Sequence, residues 1–102
     1  MDLKKLLQEM IDVQASDVFI NAGLPLSYHT AGQHVRTDSK PLMPADTRKY
    51  VSAIYELAER DMAPFVDSMN HDDDFSFAVP GVGRFRANIF RQRGSYGAVI
   101  RV

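Results

Sequence analysis

The chain contains no cysteine, no tryptophan and no long apolar run among its 102 residues. Without cysteine it can form neither a disulfide nor a thiolate zinc site, and it has no thiol for catalysis. This is typical of proteins in a reducing compartment. A membrane-spanning helix needs roughly 20 consecutive apolar residues. We therefore expect no transmembrane segment and a location in the reducing interior of the cell.

Motifs for common metal and nucleotide sites are also missing. His29, His34 and His71 lack the spacing of metal ligands. The aspartates at 72–74 lack the glycine and glutamate of a calcium loop, and we interpret them as the solvated entrance to a strand. The glycines at 81–83 are not a phosphate-binding loop. No Ser–His–Asp or paired-carboxylate arrangement is present, so we expect no metal and no catalytic residue in this chain.

The net charge of −1 conceals an uneven distribution. Residues 1–83 carry 7 Lys and Arg against 13 Asp and Glu, a formal charge of −6. Residues 84–102 carry five Arg and no acid, a formal charge of +5. Arginine binds phosphate and carboxylate through paired hydrogen bonds, so this segment predicts an anionic partner. The length and the hydrophobic fraction of 45% are those of one small globular domain.

Hydrophobic periodicity changes along the chain from helical to alternating. Apolar residues at helical spacing predict three helices, at residues 2–13, 44–58 and 62–69. A short strand at 18–21 and a hairpin over 26–37 separate the first two helices. From residue 74 onward the alternation is unbroken and predicts a three-stranded antiparallel meander with one apolar face. The sequence therefore predicts an α+β fold.

The register of this meander follows from burying its apolar residues on one face. That condition pairs Phe77 with Phe85 and Ala87 with Ile100. A two-residue loop at 93–94 supports the second register. Further pairs on the same face are Phe75 with Ala87, Ile89 with Ala98 and Phe85 with Val102.

The same register has a consequence for the polar face. It places Arg86 directly opposite Arg101, with Ser76 on its other side and Arg84 one step along. Like charges directly opposite on a sheet are destabilising. Arginines that converge on one face without a matched acid indicate an anion site. The alternative is a solvated face on which Asp74, diagonal to Arg86, forms an exposed pair that contributes little to stability.

Four segments resemble the N-terminal domain of the twitching-motility ATPases, the PilT- and PilU-type retraction motors of type IV pili within the secretion-ATPase superfamily. They are ASDVFINAGLP (15–25), DFSF (74–77), VPGVGRFRAN (79–88) and GAVIR (97–101). Their order and spacing match the family over essentially the whole chain. Two departures are Leu26, which replaces the second proline of the usual pair, and Phe19, which stands where many members have histidine.

The resemblance implies a PAS-like antiparallel sheet with about three flanking helices, formed by residues 1–102 as a single N-terminal domain. A RecA-like ATPase domain carrying the P-loop is then expected after residue 102. That domain would hold ATP and Mg²⁺ in the parent protein, and residues 1–102 alone would hold neither and would not be an enzyme.

The resemblance also implies roles for the arginines. Arg86 and Arg101, and less closely Arg84, match arginines that contact the nucleotide phosphates. The implied partners are the RecA-like domains of the same and neighbouring subunits in a homohexamer, and the inner-membrane platform protein of the pilus. The implied location is cytoplasmic, at the inner face of the membrane.

Two alternatives of a different class remain open. One is a free-standing PAS-like sensor or adaptor that binds a small anion or a protein partner. The other is a nucleic-acid module, suggested by Phe90 and Tyr96 beside the basic meander. We do not expect nucleic acid, because the rest of the chain is acidic and lacks a stacking motif.

Overall fold

The structure, a computed structural model, describes residues 2–67 and 72–102. Its helices are α1 (Leu3–Asp12), α2 (Pro44–Leu57) and α3 (Ala63–Asp67). Its strands are β1 (Asp17–Ile20), β2 (Ser27–Thr30), β3 (Gln33–Arg36), β4 (Asp72–Val79), β5 (Gly83–Gln92) and β6 (Ser95–Arg101). The predicted α+β fold, with its helices and C-terminal meander, is confirmed. Met69 of the predicted third helix and His71 lie outside the described residues.

The two long helices begin at residues suited to that position. Asp2 accepts a hydrogen bond from the backbone N–H of Lys5 at 3.1 Å and so caps α1. Pro44 opens α2, where a missing N–H costs nothing. The Asp46 carboxylate then accepts a hydrogen bond from the Met43 N–H at 2.8 Å. Helix α2 packs across β6, and α1 packs against α2.

The strands form one antiparallel sheet in the order β3-β2-β1-β6-β5-β4. The first and last strands in sequence are therefore neighbours at its centre. Val18 lies opposite Ile100, and Ile20 lies opposite Ala98. All four side chains are fully buried. This pairing, which the local sequence pattern did not predict, joins the N-terminal hairpin and the C-terminal meander into one sheet.

The predicted meander register is confirmed. Phe77 lies opposite Phe85, and Ala87 lies between Phe75 and Ile100. Two details differ from the prediction. Strand β4 begins two residues early, at Asp72, and the β5–β6 ladder ends at the Arg86–Arg101 pair, one step before the predicted Phe85–Val102 pair.

The β5–β6 turn explains why this register is unambiguous. Its two residues, Arg93 and Gly94, have φ angles of 53° and 79°. A two-residue turn with two positive φ values matches the twist of the strands that it joins. Because so short a turn fixes the register of β5 against β6, Arg86 lies directly opposite Arg101.

The two faces of the sheet differ in what covers them. One face packs under the helices and contributes most of the core, including Val18, Ile89 and Ile100, which are fully buried. The other face, called the open face below, has no helix packed on it among residues 2–67 and 72–102. Its side chains alternate with the buried ones along each strand and include Asp17, Phe19, His29, His34, Asp74, Ser76, Arg84, Arg86, Asn88, Val99 and Arg101.

A clamp joins the end of α2 to the start of β4. Tyr55 is buried, and its hydroxyl donates a hydrogen bond to Asp73 Oδ2 at 2.6 Å. Arg60 Nη2 donates to Asp73 Oδ1 at 3.2 Å, and its guanidinium lies 4.7 Å from the ring centre of Phe75. The interpretation of the aspartate run as wholly solvated is therefore wrong at its middle residue, which points towards the helices.

This clamp shifts the pKa values of both acids. Burial, the hydrogen bond to Asp73 and the Asp73 charge raise the pKa of Tyr55 above its ordinary value. Burial alone would raise the pKa of Asp73, but hydrogen bonds from Tyr55 and Arg60 and the Arg60 charge outweigh it. The pKa of Asp73 therefore lies below its usual range. A depressed carboxylate pKa means that ionised Asp73 stabilises the fold.

We expect Tyr55→Phe to lower the free energy of unfolding at neutral pH by about 1–3 kcal/mol, because it removes a hydrogen bond to a charged acceptor. The loss should persist above about pH 5 and shrink as the pH falls below the unfolded Asp pKa of about 3.9, because protonated Asp73 contributes less. Urea unfolding from pH 7 to pH 2.5 measures both effects.

Tyr50→Phe is the matched control, because the Tyr50 hydroxyl has no hydrogen bond to the described residues. It should cost little stability, and that cost should not change with pH over this range. A Tyr55→Phe deficit that stayed constant down to pH 2.5 would show that ionised Asp73 is not the partner that matters.

Candidate functional site

A row of polar side chains crosses the open face, one from each strand. Strand register alone aligns them, because each lies directly opposite the next. In order across the sheet they are His34, His29, Asp17, Arg101, Arg86 and Ser76. The central pairing of β1 with β6 places Asp17 beside Arg101 although 84 residues separate them in sequence. We call this set the transverse row.

Each of the two facing arginines has its own carboxylate. Arg86 donates from Nε to Asp74 Oδ1 at 2.9 Å and from Nη2 to Asp74 Oδ2 at 3.3 Å. The Asp74 hydrogen bonds and charge raise the pKa of Arg86. Arg101 donates from Nε to Asp17 Oδ1 at 3.5 Å. The prediction that the arginines have no matched acid is therefore wrong, whereas the alternative Asp74–Arg86 pair is confirmed.

The two pairs differ in how firmly they are held. Asp17 has only 20% of its side chain exposed and also accepts a hydrogen bond from Ser16 Oγ at 2.9 Å. His29 Nδ1 lies 4.0 Å from the same carboxylate oxygen, Asp17 Oδ2. Arg101, in contrast, is 76% exposed and makes one long bond. The Asp17–Arg101 pair therefore joins a largely buried acid to an exposed arginine through one long hydrogen bond. The Asp74–Arg86 pair is held by two hydrogen bonds.

The arginines rim two adjoining shallow depressions. One, of about 180 Å³, is lined by Asp17, Asp74, Arg86, Asn88, Val99 and Arg101. The next, of about 220 Å³, also includes Arg86 and Arg101 and extends to Arg84. Arg84 forms no ion pair with any of the described residues. The structure thus brings two of the three predicted site residues together and sets the third beside them.

Not all of the basic C-terminal segment faces this site. Arg91 points to the helix-covered face, where its guanidinium lies 4.8 Å from the ring centre of Phe65 and donates to the Phe65 carbonyl. The signal was present in the sequence, since strict alternation from Phe85 puts Arg91 on the apolar side. The charge of +5 therefore overstates the positive charge available on the open face.

An aromatic cluster occupies the far end of the transverse row. The His29 ring centre lies 4.8 Å from that of Phe19 and 5.0 Å from that of His34. His29 lies on the open face of β2, opposite Asp17. No group of three or more His, Cys, Asp or Glu side chains within residues 2–67 and 72–102 is arranged to hold a metal ion.

Comparison with known proteins gives matches along the whole chain. The chain is 37% identical to the type IV pilus ATPase PilU of Pseudomonas aeruginosa over 99% of its length. It is 35% identical to the type IV pilus retraction ATPase PilT of the same organism, also over 99%. The chain is therefore similar, over nearly its whole length, to the N-terminal region of the PilT/PilU ATPases. It spans about a quarter of the curated relatives, 25% of PilU and 28% of PilT.

The PilT/PilU relationship extends to three-dimensional structure. A crystal structure of the pilus retraction motor PilT with bound ADP matches the whole chain with a TM-score of 0.80 and 36% identity, over 29% of that molecule. No family model matches the chain. The four PilT/PilU-like segments lie in or beside β1, β4, β5 and β6, the strands that carry both ion pairs. None of the helices described is long and apolar enough to cross a membrane.

If the arginines serve a ligand and not the fold, their removal should leave stability unchanged. We expect Arg86→Ala and Arg101→Ala to unfold at the wild-type urea midpoint, because each variant loses the ion pair of a largely exposed arginine and also an opposing like charge. Arg60→Ala, which loses two hydrogen bonds to Asp73 and the contact with the Phe75 ring and relieves no like charge, should lower the midpoint. Midpoints shifted as far by the first two variants as by Arg60→Ala would contradict a ligand-binding role.

Proposed function

We propose that residues 1–102 are the N-terminal, PAS-like domain of a hexameric type IV pilus retraction or secretion ATPase, followed by a RecA-like ATPase domain. The observation that carries the proposal is the pair of exposed arginines on a sheet face that none of the described helices covers. Arg86 is 63% and Arg101 76% exposed, and both rim one depression. The curated relatives supply the ATPase context, since both are pilus ATPases.

In this proposal the arginines neutralise phosphate charge. The parent's RecA-like domain holds ATP and Mg²⁺, and the open face packs on it or on that of a neighbouring subunit. Arg86 and Arg101, with Arg84 beside them, then face the nucleotide. An arginine acts there by electrostatic stabilisation of phosphoryl oxygens, and its planar fork matches two of them at once. Two adjacent positive charges are suited to a polyphosphate, which carries several negative charges.

The proposal extends to assembly and location. A homohexamer places each open face against an adjacent RecA-like domain, and rigid movement between them couples hydrolysis to motion. The motor acts in the cytoplasm at the inner face of the membrane, on the platform protein of the pilus. The single, continuous sheet supports rigid movement, because its central β1–β6 ladder leaves no hinge between the two halves.

In the full-length protein, Arg86→Ala and Arg101→Ala should each lower the ATPase rate at least ~10-fold, since removal of one donor to developing negative charge commonly costs ~100-fold or more. Steady-state phosphate release at saturating ATP measures it. Arg36→Ala is the control: it removes an exposed arginine from the same face, three strands from Arg101, and should leave the rate unchanged.

Reading the gene downstream of the Val102 codon tests the domain organisation. A Gly-x-x-x-x-Gly-Lys-Ser/Thr segment within the following domain is expected. A stop codon directly after Val102, or wild-type rates in both arginine variants, would overturn the proposal. The first of these results would favour a free-standing sensor or adaptor for a small anion.

A further inference from the structure

The Asp74 carboxylate lies where an anionic ligand of Arg86 would bind. It accepts hydrogen bonds from Nε and Nη2, which form one edge of the guanidinium fork. Two phosphate oxygens prefer the same paired donors. A phosphate and Asp74 therefore cannot both use this edge, so a phosphate that binds Arg86 through it requires release of Asp74.

We propose that Asp74 is a positioning residue that acts as an internal competitor of phosphate, so that Arg86 exchanges Asp74 for a phosphate oxyanion when a ligand arrives. The inference rests on the proposed function, because it takes Arg86 to be a phosphate contact. It adds a residue to the site and a condition on ligand binding. Before the exchange Arg86 is neutralised and held on the open face, and after it Asp74 is released into solvent.

Exchange resolves the conflict that the sheet register creates. Arg86 and Arg101 lie directly opposite each other, an arrangement that costs stability when nothing neutralises it. Asp17 and Asp74 flank the pair from the two sides and cancel its charge in the absence of ligand. The domain can therefore hold two adjacent arginines on its open face for a polyanion, because the two aspartates neutralise their charges until the ligand binds.

The two acids are not equivalent in this exchange. Asp17 uses only Nε of Arg101, at 3.5 Å, and the terminal nitrogens of Arg101 donate no hydrogen bond to the described residues. Arg101 can therefore contact an anion through both terminal nitrogens and keep Asp17, whereas Arg86 offers its Nε edge to an anion only if it releases Asp74. Asp74 is also the more solvent-accessible of the two acids, since 46% of its side chain is exposed against 20% for Asp17.

The experiment titrates inorganic pyrophosphate into the 102-residue chain and follows the Nε–H resonances of Arg86 and Arg101 by NMR. We expect Asp74→Asn to lower the pyrophosphate Kd about fivefold, the scale of one unit charge acting at about 4 Å through water. Asp17→Asn should give a smaller gain. Asp72→Asn, which removes the same charge from the same strand and face at a residue that has no ion pair with the described residues, should give almost none.

A double-mutant cycle separates exchange from a general change in charge. In an Arg86→Ala background, Asp74→Asn should no longer strengthen binding, because the guanidinium for which Asp74 competes with phosphate has been removed. An equal gain in that background, equal gains from all three aspartate variants, or no shift of the Arg86 Nε–H even in Asp74→Asn would each overturn the exchange. Urea midpoints equal to wild type confirm that the variants are folded.

These failures are distinguishable from failure of the proposed function. If the pyrophosphate experiment fails while Arg86→Ala still lowers the ATPase rate of the full-length protein, Arg86 contacts phosphate without competition from Asp74. If Arg86→Ala leaves the ATPase rate unchanged, the proposed function is wrong whatever the titration shows.

Discussion

The antiparallel pairing of β1 with β6 is the contact on which the rest of the structure depends. It buries Val18 and Ile20 against Ile100 and Ala98 at the centre of the sheet. The same ladder turns the intervening side chains to the open face, which is how Asp17 comes to lie beside Arg101. Core residues and site residues therefore alternate along the same two paired strands. A change of register by one residue would exchange the two sets and destroy both.

Much of the meander could be predicted because its information is local. The alternation of apolar and polar residues indicates which side chains lie on each face. The short turn at Arg93 and Gly94 fixes the register of the two strands that it joins. The facing arginines follow from these rules without any knowledge of the rest of the chain. Helix positions were equally accessible, because apolar residues at helical spacing identify a helix within a few turns of chain.

The parts of the site that sequence reasoning missed have two causes. The Asp17–Arg101 pair depends on a contact between strands at opposite ends of the chain, and such a contact leaves no mark in local periodicity. Asp73 and Arg91 are different, because the alternation around them already assigned both to the apolar face. They were grouped with exposed charges by residue type, yet each is accommodated there by an aromatic neighbour, Tyr55 for Asp73 and Phe65 for Arg91. Strand parity is a better guide than polarity at such positions.

The order of the strands also decides how another molecule can approach. Among residues 2–67 and 72–102, only β3 and β4 have a free edge, and sheets with free edges risk adding a foreign strand. Strand β3 has just four residues, and β4 begins with three consecutive aspartates and is followed by Pro80. Short length, repeated charge and proline are the features by which edges resist such addition. A partner is therefore directed away from backbone pairing and towards side-chain recognition on the broad face, where binding and release leave the sheet intact.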